Sequence, residues 1–323
     1  MKTLILKIIL YAFLILIFLE IITRVFHLHQ ESPQFIINNS NIKTYAPNQS
    51  GYYTVGNRRM NISKYHINDS GFNSYREFVP STDNINLAII GDSFIEGFHQ
   101  NYYNSIGIKI ENKLNNEVSV FEYGHAGYDL ADQLHLIATY KDIFEKMDLI
   151  VIYLKFENDL TRNVYEPDQY WIDTQYYAFS KIKKNIKLVG YLESIGWLDN
   201  LRNLKHKFKT PNKPNSFVDK ENQNLKKVKH QEYINNFKEL VKKFGFNKNK
   251  TIFLIDVRNT NKIFLNHLLD KNYKYLDFGN AMESSKKPTT LIFDMHWNNK
   301  GREVISKTIV DYIVNQGLIQ KKD

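Results

Sequence analysis

The sequence predicts an α/β protein built on a parallel sheet with helices on both faces. Three observations carry this prediction. Short apolar runs alternate with longer amphipathic stretches from residue 85 onward. The apolar runs show almost no polar alternation, which is typical of strands that are covered on both faces. The alternation of strand and helix patterns is the signature of βαβ units, whose strands run parallel.

The elements of this pattern can be placed along the chain. Helices are predicted at 102–115, at 130–145 and, closing the chain, at 299–315. Strands are predicted at 85–90, 118–123, 148–155, 251–257 and 289–293.

A long interruption separates the third predicted strand from the fourth. Residues 161–245 are rich in lysine and aromatic side chains and are too long for a simple connection. They predict an inserted, largely helical subdomain with a mobile loop near Pro211 to Ser216. Residues 85–160 and 246–323 then form the core, and residues 28–84 form a lead-in of short strands and turns.

The N-terminus predicts a membrane helix. The stretch from Leu4 to Phe26 is mostly apolar and long enough to cross a hydrocarbon core of roughly 30 Å. No small-residue cleavage site follows it, so residues 1–27 are expected to be a retained signal anchor rather than a cleaved signal peptide. Lys2 and Lys7 place the short end in the cytoplasm and the remainder outside it. The alternative is an amphipathic or buried N-terminal helix.

Composition excludes several classes of site. The absence of cysteine removes disulfides, thiolate nucleophiles and cysteine-ligated zinc. The net charge of +9 is spread along the chain, with most of the excess between residues 181 and 250. Such lysine runs form solvated helix faces or attract anionic headgroups or an acidic polymer. No nucleic-acid-binding motif accompanies them, so nucleic acid is not an expected partner.

Chemically useful residues follow the predicted strands. In open parallel sheets, ligands bind beyond the carboxyl ends of the strands. Ser93 follows the first strand, Gly127 the second and Asn158 the third, while Asp294 and His296 follow the last. We expect these residues to share one edge of the sheet.

Together these residue types suit acyl transfer. A serine hydroxyl becomes a nucleophile when a histidine accepts its proton and a carboxylate orients that histidine. His296 and Asp294 can supply both groups to Ser93. The backbone N–H groups of Ser93 and Gly127 and the amide of Asn158 can donate to the developing oxyanion. Taken singly, each residue has a structural alternative: a helix cap, a turn glycine, a strand-end cap or a structural histidine.

The same segments resemble a known family. "IIGDSFIEG", "YGHAGYD", "FEND" and "DMHWNNKG" resemble, in order and approximate spacing, the four blocks of the SGNH/GDSL hydrolases. The resemblance covers residues 85–160 and 250–315. It implies a flavodoxin-like three-layer α/β/α sandwich, with Ser93 as nucleophile, Gly127 and Asn158 as oxyanion donors, His296 as base and Asp294 behind it.

Two positions differ from the usual family pattern. Phe156 stands where the third block commonly has glycine, and Asp294 precedes His296 by two residues instead of three. The Asp-x-His-Trp-Asn version is similar to that of membrane-linked members that handle exopolysaccharide O-acetylation.

Other polar residues fall near the expected site. Asp92 is expected to cap or brace the turn, and His99 and His125 either line the pocket or lie on the surface. Asp92, His125, Asp159 and His296 are a possible metal set, but no pair has helical ligand spacing. Neither a metal nor another cofactor is therefore expected.

The resulting hypothesis is a membrane-anchored, exported serine hydrolase of the SGNH type. It would cleave or transfer an ester-linked acyl group, in the first place acetyl, on a carbohydrate or lipid. Envelope polysaccharide machinery is the expected setting. The alternatives are a noncatalytic polysaccharide-binding or assembly protein on the same fold and a phospholipase-like esterase.

Overall fold

The computed structural model describes residues 1–55, 59–81, 84–167, 169–198 and 223–318. These residues form two antiparallel hairpins near the N-terminus and one larger sheet. The strands are β1 (Phe35–Ile37), β2 (Lys43–Tyr45), β3 (Ser50–Val55), β4 (Asn61–His66), β5 (Ile85–Gly91), β6 (Val118–Gly124), β7 (Leu149–Tyr153), β8 (Thr251–Ile255) and β9 (Lys274–Asp277).

The larger sheet confirms the predicted fold class. Its five strands run parallel in the order β6-β5-β7-β8-β9. Leu87 and Ile89 of β5 pack into the core on one face of the sheet, and Ala88 and Ile90 pack into the core on the other. Because side chains alternate along a strand, this division shows that helices cover both faces.

The fifth strand is not the predicted one. Residues 289–293 form no strand, only an isolated bridge between Thr290 and Trp297, and Ile292 is 99% exposed. The edge position beside β8 belongs to Lys274–Asp277 instead. Edge strands commonly carry charged residues, and this one is only four residues long, so its hydrophobic pattern is weak.

Helices fill the two outer layers. The predicted helix at 102–115 is a 3₁₀ turn (Tyr102–Asn104) followed by an α-helix that Ser105 caps. The predicted helix at 130–145 is likewise two helices, and the closing helix matches its prediction. The α-helices are α1 (Lys2–Val25), α2 (Ser93–Glu96), α3 (Ile106–Lys113), α4 (Leu130–Thr139), α5 (Lys141–Phe144), α6 (Phe156–Asp159), α7 (Gln169–Thr174), α8 (Ala178–Asn185), α9 (Lys187–Ser194), α10 (Gln223–Phe244), α11 (Lys262–Asp270), α12 (Gly279–Glu283) and α13 (Asn299–Asn315).

Residues 161–245 contain α7, α8, α9 and α10. The second half of α10 packs on the sheet core through Ile234, Phe237 and Leu240. The predicted loop at Pro211 to Ser216 lies outside the described residues.

Among the described residues, α1 is the one helix long and apolar enough to cross a membrane. Its 24 residues are almost entirely exposed, with Thr23 the buried exception. An N-terminal helix of this kind serves either as an anchor or as a signal sequence.

Candidate active site

The predicted site lies at the carboxyl end of β5, between the loops that follow β6 and β7. These two strands pair with β5 on opposite sides, with Gly91 directly opposite Gly124. Ser93 is the first residue of α2, whereas Gly127 and Asn158 follow β6 and β7. The topology therefore places one predicted oxyanion donor on each side of the serine.

Asp92, not Ser93, caps the short helix α2. The Asp92 side chain accepts a hydrogen bond from the backbone N–H of Phe94 at 2.9 Å. Because an aspartate cap satisfies an otherwise free helix N–H, the Ser93 hydroxyl is left for other partners. The predicted bracing role of Asp92 agrees with this contact.

Ser93, His296 and Asp294 form a continuous hydrogen-bonded chain. Ser93 Oγ lies 2.8 Å from His296 Nε2, and His296 Nδ1 is hydrogen-bonded to Asp294 Oδ1. A carboxylate only accepts, so Nδ1 carries the proton and Nε2 is the acceptor that faces the serine. Three residues predicted from distant parts of the sequence thus meet in the order that serine activation needs.

A local turn explains how an acid two residues before the histidine can reach it. The backbone N–H of His296 donates to Asp294 Oδ1 at 3.0 Å, which folds the side chain back toward the imidazole. Partial burial opposes ionisation of Asp294, but the hydrogen bonds from His296 hold its pKa below the ordinary value. Asp294 is therefore ionised, as an orienting carboxylate must be.

A second histidine, His99, also binds Asp294. His99 Nε2 lies 3.2 Å from Asp294 Oδ2, and the His99 ring stacks on that of His296 with centroids 4.1 Å apart. Burial lowers the pKa of His99 to about 4, and the nearby His296 adds to this effect. His99 is consequently neutral near pH 7 and donates from Nε2 to the carboxylate. The sequence placed His99 only near the pocket, because no motif links it to Asp294.

Ligand atoms of His99, Asp294 and His296 lie within 4.8 Å of one another, as in some metal sites. The two stacked imidazoles, however, each point at a different oxygen of Asp294. Parallel rings at this separation do not converge on one tetrahedral ion, whereas they suit a shared carboxylate.

The metal set considered from the sequence is not assembled either. Asp92 pairs with Lys155, and His125 is buried with its ring stacked against those of Tyr45 and Tyr128. Burial lowers the pKa of His125 to about 3, so it is a neutral part of the packing rather than a pocket-lining group.

Gly127 and Asn158, the other two predicted oxyanion donors, lie just after β6 and β7. Gly127 has φ of +75°, a left-handed conformation that favours glycine. Asn158 Nδ2 donates to Asp159 Oδ1 at 3.0 Å, which uses one amide hydrogen and leaves the other. Asp159 is fully buried and also accepts from the backbone N–H of Lys155 at 2.7 Å, which holds the turn.

Lys155 is a charged neighbour that sequence reasoning missed. Its Nζ lies 2.5 Å from Asp92 Oδ2 and 4.9 Å from the centre of the Phe94 ring. The lysine therefore brings a positive charge against the turn that carries Ser93. A lone lysine after a strand gives no sequence signal for this contact.

The lead-in hairpins also support the nucleophile turn. Glu96 is buried and accepts hydrogen bonds from the Tyr45 hydroxyl and from the backbone N–H of Ala126. Asn73 donates to the backbone oxygen of Glu96 at 2.7 Å, and Ser63 donates to that of Phe98. Residues 28–84 thus pack directly on α2 and the loop after it.

An open cavity of about 770 Å³ adjoins the triad. One part of it is lined by Phe94 and Met295, which follow Ser93 and Asp294 in the chain, and by Asn158, a predicted oxyanion donor. The rest of the lining mixes hydrogen-bonding side chains, among them Lys155, Asp256, Asn259 and Asn261, with aromatic and aliphatic ones, namely Tyr153, Leu154, Phe156, Phe278, Met282 and Trp297.

No family model matches the chain, and no curated protein matches it. Solved structures do. A lipase/acylhydrolase from Enterococcus faecalis is 14% identical, with a TM-score of 0.42 over 74% of this chain and 99% of that one. A psychrotrophic esterase from Pseudoalteromonas sp. is 12% identical, with a TM-score of 0.41 over 72% and 98%. A G-D-S-L lipolytic protein from Veillonella parvula is 13% identical, with a TM-score of 0.37 over 71% and 98%.

The solved structures similar to this chain thus include lipolytic proteins of the G-D-S-L family. At these identities and TM-scores they carry no inference about activity or substrate, which depends on the side chains described above.

Proposed function

We propose that this protein is a serine hydrolase of the SGNH type that cleaves or transfers an ester-linked acyl group. The observation that carries the proposal is the hydrogen-bonded chain from Ser93 through His296 to Asp294. We further propose that α1 is a retained anchor and that the remainder of the chain lies outside the cytoplasm.

In the proposed reaction His296 Nε2 accepts the proton of Ser93 Oγ, and Oγ attacks the ester carbonyl carbon. The oxyanion then accepts hydrogen bonds from the N–H groups of Ser93 and Gly127 and from the amide of Asn158. The protonated His296 gives its proton to the leaving alcohol. His296 then deprotonates a water or an acceptor hydroxyl, which attacks the acyl carbon; the tetrahedral intermediate expels Ser93 Oγ, which takes the proton back from His296.

The cavity beside the triad supports a polar substrate. Its amide, hydroxyl and charged side chains can hydrogen-bond a partner with many hydroxyl groups, and its aromatic rings, among them Phe94 and Trp297, can stack on sugar rings. An acetylated carbohydrate fits this mixed lining, and it is the substrate class that we propose.

Fluorophosphonate labelling of the full chain tests the catalytic proposal. The wild type should take one label, and Ser93→Ala should take none, because the phosphonyl group bonds to an activated serine. Ser105→Ala is a matched control, since Ser105 caps α3 and hydrogen-bonds Glu122 without contacting the triad, and it should label normally. An unlabelled wild type, or equal labelling of Ser93→Ala, would favour a noncatalytic binding or assembly protein.

A substrate comparison tests the finer proposal. Acetate release from O-acetylated glycans should exceed turnover of long-chain acyl esters, and adding an acceptor sugar distinguishes hydrolysis from transfer. Appearance of acetylated acceptor indicates an O-acyltransferase, whereas free acetate alone indicates an esterase. A preference for long acyl chains would contradict the acetyl-carbohydrate proposal.

A further inference from the structure

The helices α8 and α9 are hydrogen-bonded to the end of α1. The Glu20 carboxylate accepts from the backbone N–H groups of Lys187 and Leu188 at 2.9 and 2.7 Å, and so caps the start of α9. Arg24, which also pairs with Glu20 at 2.7 Å, donates to the backbone oxygen of Asn185 at 2.6 Å. The junction of α8 and α9 is therefore held beside the last turns of α1.

This attachment sets the depth of the junction in a membrane. A helix rises about 1.5 Å per residue, so the 24 residues of α1 exceed the roughly 30 Å of a hydrocarbon core. With Lys2 and Lys7 at the opposite end, Glu20 and Arg24 fall near the boundary where α1 leaves the bilayer. The start of α9 lies at the same level.

Exposed apolar side chains lie on α8 and at both ends of α9. Phe179, Ile182 and Ile186 are spaced to share one face of α8 and its continuation, and the two isoleucines are each 45% exposed. Trp197, which follows α9, is 52% exposed. Exposed apolar side chains next to a membrane helix are typical of a segment that lies in the interface.

Lysines accompany the apolar face. Lys183 pairs with Glu193 at 2.6 Å, and Lys187 pairs with Glu31 at 3.1 Å. Lys181 and Lys184 have no ion pair within the described part of the chain, and both side chains are at least partly exposed. These ammonium groups lie on the opposite side of α8 from its exposed apolar residues, as on the polar face of an interfacial helix, and they match the charge of anionic headgroups.

We propose that α8 and α9 form an interfacial platform, meaning residues 178–197, that lies in the headgroup region of an anionic bilayer around the exit of α1. The proposal depends on the retained anchor proposed above and is independent of the ester chemistry. The apolar face of α8 enters the acyl boundary, and Lys181 and Lys184 meet lipid phosphates.

The platform would also orient the catalytic core. Gln175, between α7 and α8, accepts from the backbone N–H of Phe35 at 2.7 Å and donates to its oxygen at 3.1 Å. Phe35 begins β1, which pairs with β2, and Tyr45 at the end of β2 reaches Glu96 beside the nucleophile. A continuous set of contacts thus links the membrane surface to the active site.

Spin labelling of the full chain tests this inference. Since the protein has no cysteine, Ile186→Cys and Ile182→Cys each take a single label, and a failure of one to fold leaves the other. The variants are reconstituted in vesicles of phosphatidylcholine with phosphatidylglycerol. Relaxation by oxygen, which concentrates among acyl chains, is compared with relaxation by a water-soluble nickel chelate.

We expect oxygen to dominate at Ile186 and Ile182. The matched control is Ile263→Cys, an exposed isoleucine on α11, which packs on the sheet, and there the nickel chelate should dominate. When Lys181→Gln and Lys184→Gln are combined with Ile186→Cys, the label should lie less deep in anionic vesicles. Its depth should approach the depth measured in vesicles of pure phosphatidylcholine.

Nickel-dominated relaxation at both platform positions would overturn the proposal, as would burial of both labels from both reagents, which indicates a protein partner. Removal of α1 from the mature protein, detected by its mass, would overturn it as well. Hydrolysis of a water-soluble acetyl ester by the same samples reports on the ester chemistry separately, because none of these substitutions touches the triad.

Discussion

Asp294 accepts hydrogen bonds from two histidines, which have different tasks. His296 uses the carboxylate to keep its proton on Nδ1 and its free nitrogen toward Ser93, whereas His99 donates to the second oxygen. Since His99 is buried and neutral, it adds a donor without adding a competing charge. We interpret His99 as a positioning residue that fixes the plane of Asp294.

His99→Leu should therefore lower kcat about tenfold to a hundredfold, because a hydrogen bond to a charged group is worth about 1.5–3 kcal/mol. KM should stay nearly unchanged, since His99 acts through Asp294 rather than on substrate. Steady-state kinetics with a soluble acetyl ester measures both constants.

His99→Gln controls for a general packing defect. Its amide can still donate to Asp294, so it should recover part of kcat while the melting temperatures of the two variants remain similar. Equal loss of kcat in both variants would argue against positioning through a hydrogen bond.

Asn158→Ala should reduce kcat by about a hundredfold to a thousandfold, the usual effect of removing one oxyanion donor. Asn259→Ala serves as the comparison, because Asn259 lines the same cavity and hydrogen-bonds Asp256; it should change KM more than kcat. An Asn158→Ala enzyme with full kcat would remove this residue from the oxyanion hole.

At the scale of elements, the short helix α2 owes its position to close backbone packing. A Cβ on Gly124 would lie 2.1 Å from the backbone nitrogen of Glu96, so only glycine lets β6 approach α2 this closely. Arg302, fully buried on α13, donates to the backbone oxygen of Phe94 at 3.3 Å from the other side. Lys155 holds Asp92 at the start of the same helix.

Gly124→Ala should therefore destabilise the protein by about 1–3 kcal/mol, the usual cost of overpacking, and displace Ser93 enough to reduce activity. Chemical denaturation and ester turnover measure the two effects. Gly190→Ala, on α9, is the matched control, because the backbone oxygen of Lys183 would lie 3.9 Å from the new Cβ, an ordinary contact distance. Unchanged stability in Gly124→Ala would mean that α2 can shift without cost.

At the scale of the whole molecule, the two lead-in hairpins cover the nucleophile loop and enclose ionisable groups. Glu96 is buried beneath Tyr45, and burial raises its pKa to about 7 despite the hydrogen bonds it accepts. The folded protein therefore holds a proton between about pH 4.5 and 7 that the unfolded chain releases. The stabilisation that protonated Glu96 provides is complete below about pH 4.5 and is lost as the pH rises through 7.

Glu96→Gln keeps an oxygen acceptor for Tyr45 and Ala126 but cannot ionise. Relative to the wild type, its free energy of unfolding should therefore increase as pH rises from 4.5 to 7, by on the order of 3 kcal/mol. Urea denaturation across this range measures the difference. Glu145→Gln, at an exposed site, controls for the loss of one negative charge, and a constant difference for Glu96→Gln would show that Glu96 stays ionised when buried.

The prediction of the sheet succeeded where burial dominates the pattern. β5, β6, β7 and β8 are apolar because both of their faces are covered, and such runs are visible in one sequence. β9 was missed because a short edge strand needs little apolar surface. Residues 289–293 were wrongly predicted to form a strand, because a run of apolar residues need not be buried in a sheet. Ile292 in this run is exposed.

Several features could be determined from the sequence alone, namely the α/β class, the apolar N-terminal helix and the identity of Ser93, Asp294 and His296 as candidates. Strand burial and motif order are properties of contiguous segments, so local patterns record them. Tertiary structure alone decided that these three side chains are hydrogen-bonded, that His99 shares Asp294, that Lys155 pairs with Asp92 and that α9 is capped by Glu20. Apart from the bond between His296 and Asp294, each of these contacts joins residues far apart in the chain, and its strength depends on distance and burial, which no local pattern records.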